Sequence, residues 1–247
     1  MLLRHILKLV FRGFLLVTGI ILHITNPEAL NFTLVFQQGI TGAFLWIVWV
    51  SLFVEMLYRI IPNKRTTVGA RKHFSCSYRP TASAQENNTE KQSAADKSLH
   101  KGAILSAVSW ASITALVLFA LFRVDLLTPG TVLIILLSFA VLDIIFILFF
   151  CPFQTLFMRN HCCVVCRIYN WDYIMMCAPL IIFPGFYSAS LVILSLAVLL
   201  CWEIPLVSKP HFFKRETNEN LRCEHCEDKL CRLRIFSPEI NPTTSRD

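Results

Sequence analysis

Between Gly39 and Ile61 the chain runs GITGAFLWIVWVSLFVEMLYRII and then stops at Pro62. A helix crosses the hydrocarbon core of a bilayer with about 20 predominantly apolar residues. Inside lipid, only helices and closed barrels satisfy their own backbone polar groups. This run is continuous, whereas barrel strands are short and alternate apolar with polar residues. Three more runs of the same kind occur, at about Ile6 to Ile24, Gly102 to Phe122 and Thr131 to Phe150. Composition agrees: 55% of residues are hydrophobic, only 16% are charged, and mean hydropathy is +0.58. A soluble domain carries about 25% charged residues. The fold class is all-α, a polytopic helical membrane protein.

The first run, MLLRHILKLVFRGFLLVTGIILHI, has the basic start and apolar centre of a secretory signal, but TNPEAL follows it with no A-x-A-like cleavage site. It is expected to stay as a first helix, with Lys8 and Arg12 snorkelling to the headgroups. Near the other end, residues 173–207 form an apolar stretch too long for one span and too short for two full ones. Pro179 and Pro184-Gly185 break it. The expected arrangement is four spans plus a C-terminal helical hairpin, five or six apolar segments in all; a single long tilted helix is the alternative.

The chain divides accordingly. Residues 1–61 hold the first two spans, 62–101 a basic loop, 102–150 spans three and four, 151–172 a Cys-rich loop, 173–207 the hairpin, and 208–247 a Cys-rich tail. In the basic loop, TASAQENNTEKQSAADKS has too little apolar surface to repay ordering and is expected to be disordered. The formal net charge is +7. No nucleic-acid recognition module accompanies it. Basic residues instead gather in cytoplasmic loops beside anionic lipid. The 62–101 loop carries Lys64, Arg65, Arg71, Lys72, Arg79, Lys91, Lys97 and Lys101, so it is placed in the cytoplasm. The hairpin then returns the tail to that side, with the N- and C-termini both cytoplasmic.

Two polar segments concentrate the cysteines. NHCCVVCRIYNWDY (160–173) holds Cys162, Cys163 and Cys166 beside His161; RCEHCEDKLC (222–231) holds Cys223, Cys226 and Cys231 beside His225. Cys163-x-x-Cys166 and Cys223-x-x-Cys226 are two CxxC knuckles, and two such knuckles supply the four thiolates of a tetrahedral zinc site. Cys162 and Cys231 are further candidates. Cytoplasmic thiols stay reduced, which favours metal ligation or transient redox pairing over structural disulfides. An iron–sulfur cluster is the alternative cofactor, although the spacing of Cys223, Cys226 and Cys231 does not match the common ferredoxin runs. Cys151, Cys177 and Cys201 lie in or beside spans and suit apolar packing.

Three charged residues stand out within the apolar runs. Glu55 and Arg59 are four apart in the favourable order for a helical ion pair near the end of span two. Asp143 is flanked by apolar residues and must face the bundle or be protonated. In NWDY, Trp171 and Tyr173 suit the headgroup layer, and Asp172 suits capping of the next helix; a polar shell around a metal, with Arg167 and Asn170, is the other reading. No P-loop, dinucleotide fingerprint, zincin motif or nucleophile elbow is present, so a non-enzymatic role is favoured. The leading expectation is a cytoplasmic thiolate metal site of structural or regulatory role. A membrane redox protein using the CxxC thiols, and an ion or metal transporter using Asp143 and Glu55, are the alternatives. The bilayer is the one partner the sequence specifies.

Overall fold

The computed structural model describes residues 2–33, 39–62, 68–81, 89–158, 166–214 and 216–222. Five helices in these segments are long and apolar enough to cross a membrane. They lie in α1 (Leu2–Thr25), α2 (Ile40–Ile60), α4 (Thr89–Arg123, apolar from His100), α5 (Pro129–Leu148) and α7 (Phe186–Ser208). Each boundary has a local cause. Pro62 follows the end of α2. Thr128 caps α5 by accepting from the Thr131 amide, and Pro129 takes the first helical position, where no N–H is needed. Among the described residues there is no strand, only one isolated bridge between Pro80 and Asn218.

The C-terminal hairpin is asymmetric. Its first arm is a short helix, α6 (Asp172–Cys177), continued by the 3-10 turn Ala178–Ile182. These residues reach about 17–20 Å, roughly two-thirds of the hydrocarbon thickness. The chain turns at Pro184-Gly185 and returns through α7, a full span. The turn closes on the loop between α1 and α2, where Phe32 stacks on Tyr187 at 5.3 Å and meets Phe183 edge-on at 6.4 Å. Irregular backbone inside a membrane must be covered by protein, and this packing supplies the cover.

The short arm is the centre of the bundle. Tyr173, Met176, Cys177 and Leu180 are essentially inaccessible and pack against α5 and α7. Around them α1 lies along α5 and α2 along α7. Gly19 permits a close approach: a Cβ there would stand 3.2 Å from Leu137 and 3.3 Å from Phe44. Helix α4 is peripheral. It touches the 3-10 turn Ile168–Asn170 and the π-helical turn Phe153–Met158, and its outward face exposes Ile104, Val108, Leu116 and Phe119.

Two parts of the polar loop after α2 carry regular structure, and the first overlaps the stretch expected to be disordered. Thr89–His100 is helical and continuous with the third span; Glu90, Lys91, Gln92, Ala94 and Ala95 are strong helix formers, and propagation from an existing helix avoids the cost of nucleation. Residues 68–81 carry a short helix, α3 (Val68–Arg71), and a 3-10 turn (Ser75–Ser77), docked on the start of the tail. Tyr78 stacks on Phe212 at 4.6 Å, and Asn220 donates to the Ser77 carbonyl at 2.8 Å. Lys72 is buried with its ammonium over the rings of Trp202 and Phe213.

Candidate functional site

The charged residues inside the bundle form one connected network at one end of the helices. Arg12 of α1 is its hub, 3% exposed. Its guanidinium donates to Glu55 of α2 at 2.5 Å, to Asp143 of α5 at 3.3 Å and to the Ala140 carbonyl at 2.6 Å. Glu55 also pairs with Lys8 at 3.0 Å and accepts from the Tyr173 hydroxyl at 3.2 Å. One turn further along α2, Arg59 pairs with Asp172 at 2.8 Å, and its guanidinium lies over the rings of Tyr169 and Tyr173 at 4.9 and 5.0 Å. Three cations, Lys8, Arg12 and Arg59, thus meet three carboxylates, Glu55, Asp143 and Asp172. The sum is zero, which is the condition under which charges persist away from water.

This arrangement corrects several expectations. Arg12 does not snorkel; it turns inward. Glu55 and Arg59 share a helix face but pair with other elements rather than with each other, because α1 and the Cys-rich loop each bring a better-placed partner. Tyr173 is buried in the core of the bundle rather than exposed at its surface. Asp172 does accept a free amide of its helix, from Tyr173 at 2.7 Å through Oδ1, while Oδ2 takes Arg59. Asp143 turns toward Arg12 in the bundle, the first of the two alternatives its apolar flanks leave.

A second ion pair sits nearby. Arg167 grips Glu203 of α7 with two hydrogen bonds of 3.1 and 2.5 Å, and the Trp171 indole donates to the same carboxylate at 2.7 Å. His100, on α4, also contacts Arg167. These contacts hold residues 166–171 against both α4 and α7. The sequence carried a weak sign of this pair: Glu203 is an acid near the end of an apolar run, opposite an arginine beside a cysteine.

Of the expected metal ligands, Cys166 is described, buried beside Ala103 and Ile168. Cys162, Cys163, Cys223, Cys226 and Cys231, with His161 and His225, lie outside the described residues. Among the described residues no group of three or more metal-ligating side chains comes together. The flanks of the two segments do converge. The turn Ile168–Asn170, just after Cys166, and the turn Glu219–Leu221, just before Cys223, both pack against α3. Asn218 fixes the second turn: it is fully buried, its side-chain oxygen accepts from the amides of Asn220 and Arg79 at 3.2 and 3.3 Å, and its amide donates to the Phe212 carbonyl at 2.8 Å. Cys177 is a packed core thiol, as expected, whereas Cys201 is exposed on α7. Comparison with family models, with curated proteins and with solved structures gives no match to this chain.

Proposed function

We propose that this integral membrane protein closes its two cysteine segments on one thiolate metal site, zinc by preference. Cys163, Cys166, Cys223 and Cys226 are the ligands, with Cys162 and Cys231 in reserve, and both chain ends lie in the cytoplasm. The observation that supports this reading is the convergence on α3. A helix of one turn separates the residues that follow the first knuckle from those that precede the second. Two CxxC knuckles delivered to one place are the ligand set of a closed structural zinc site, in which each thiol binds as the thiolate.

The role is structural or regulatory. A metal there ties the tail to the loop ahead of the hairpin. The tie also reaches the membrane interior, because Cys166 is followed directly by Arg167, which holds α7 through Glu203, and then by Asp172, which holds α2 through Arg59. Occupancy of the site therefore sets how firmly the short arm is anchored among the helices. Elemental analysis with an optical spectrum, on protein purified without oxygen in mild detergent, tests the proposal. The expected result is a colourless sample with about one zinc per chain, lost in Cys223→Ser/Cys226→Ser. Metal-free protein whose thiols all alkylate freely would overturn the proposal, and a brown iron-bearing sample would replace zinc with an iron–sulfur cluster.

A further inference from the structure

A cleft of about 230 Å³ lies between α4 and α5, floored by the π-helical turn and by α6. Its walls are mostly apolar and polarisable, with Trp110 on α4, Phe139 and Phe146 on α5, and Met175 and Met176 on α6; Thr114 of α4 also lines it. Trp110 and Phe139 are tilted toward one another at 5.8 Å. Ile113 and Leu142, which also line the cleft, are exposed on the outside of the bundle, so the opening faces the bilayer. Pockets for drug-sized ligands run to about 300–1,000 Å³. This cleft therefore suits the head and first methylenes of a molecule whose remaining chain stays in lipid.

One wall group makes the cleft more than a greasy seam. Asp143 lines it, and its only hydrogen bond among the described residues is the long one from Arg12 to Oδ2. A carboxylate offers about four acceptor positions, and leaving them empty in an apolar setting is costly. Asp172, the other carboxylate of the lining, has both oxygens engaged by Arg59 and the Tyr173 amide. The missing partner of Asp143 must donate hydrogen bonds. It should also be uncharged, since the six-charge network already sums to zero and a cation would leave it at +1.

We propose that the cleft binds a neutral, hydroxyl-bearing membrane amphiphile, an alcohol or phenol on a long apolar chain, with its O–H donated to Asp143. The ligand enters from the bilayer between α4 and α5. A charge-assisted bond of this kind should favour a donor head over an ether of the same length by about tenfold.

The test uses full-length protein in lipid nanodiscs and a long-chain alcohol carrying a diazirine, with crosslinked residues mapped by mass spectrometry. Labelling should concentrate on α4 and α5 around Trp110 and Asp143. Dodecanol should compete at about a tenfold lower membrane fraction than dodecyl methyl ether, and better than dodecylamine. Thr114→Phe, which fills the cleft without touching the ion network, should abolish labelling. Asp143→Asn should shrink the gap between alcohol and ether. Equal competition by the ether, or unchanged labelling in Thr114→Phe, overturns the site. Stronger competition by the amine overturns the neutral head group.

Discussion

Replacing Arg12 with methionine tests whether the ion network holds the bundle together. Methionine keeps an unbranched, apolar stem in the same groove and removes the charge. The Ala140 carbonyl loses least, since it belongs to the interior of α5. Glu55 keeps Lys8 at 3.0 Å and Tyr173 at 3.2 Å. Asp143 loses its one hydrogen bond among the described residues, and the network falls from neutral to −1. Removing one partner of a buried pair costs about 3–5 kcal/mol, a large share of a total stability of about 5–15 kcal/mol. Arg12→Met should therefore unfold well before the parent in a sodium dodecyl sulfate titration from mild micelles, followed by far-ultraviolet circular dichroism.

The geometry also names the rescue. Arg12→Met/Asp143→Leu removes the hub and its weakest partner together. It leaves two complete pairs, Lys8 with Glu55 and Arg59 with Asp172, in a network that is neutral again. This double variant should recover to within about 1–2 kcal/mol of the parent, since replacing a whole ion set by apolar groups is often tolerated. Arg12→Met/Asp172→Asn has the same net charge but leaves Arg59 and Asp143 without their carboxylate and guanidinium partners. It should gain nothing. If the two doubles behave alike, net charge rather than pairing governs stability. If Arg12→Met shifts stability by less than about 1 kcal/mol, the ion network does not hold the bundle together.

Two further outcomes concern the polar end of the bundle. Asn218→Ala strips three hydrogen bonds from a fully buried side chain; a local loss of about 1–3 kcal/mol should make residues 210–222 sensitive to protease while the spans stay protected, and unchanged cleavage would deny the docking. Glu203→Gln keeps an acceptor for the Trp171 indole but breaks the charged fork with Arg167; amide exchange at Ile168–Trp171 should accelerate by about 10- to 100-fold, and an unchanged rate would mean that the fork does not anchor this segment.

The spans were legible because their cause is local. An apolar run of membrane length bounded by Pro62, Pro129 or Pro184-Gly185 admits few other structures, and the observed helices start and stop within a few residues of the expected ones, except that α4 begins well before its apolar run, at Thr89. The hairpin was legible in outline from its length and its prolines, although its asymmetry was not. The pairings were hidden because they are remote in sequence. Glu55 could be recognised as a costly group, but Arg12 is 43 positions away and Asp143 is 131 positions from that same arginine. The i,i+4 rule pointed Glu55 to Arg59, since a sequence displays neighbours along a helix and not neighbours across it. The docking of residues 68–81 left a fainter trace: Tyr78 is an aromatic residue in a polar loop, matched by the KPHFF of the tail.

A membrane supplies little hydrophobic reason for one helix to prefer another, because lipid tails are as apolar as leucine. Four of the elements here escape that indifference through charge. Helices α1, α2, α5 and α6 each contribute to the neutral network, and α7 is held by the separate pair of Glu203 with Arg167. Between Gly102 and Phe122, α4 has no charged residue at all. It is tied near its start through His100 and Arg167, and beyond its end by the short connection to α5. A helix fixed at its ends and free of polar ties along its length packs only where its side chains happen to fit. Its inner face meets two turns, and the space left against α5 is the cleft. The same chemistry that makes five elements choose one another leaves the sixth standing apart, and Asp143 is where the two regimes meet.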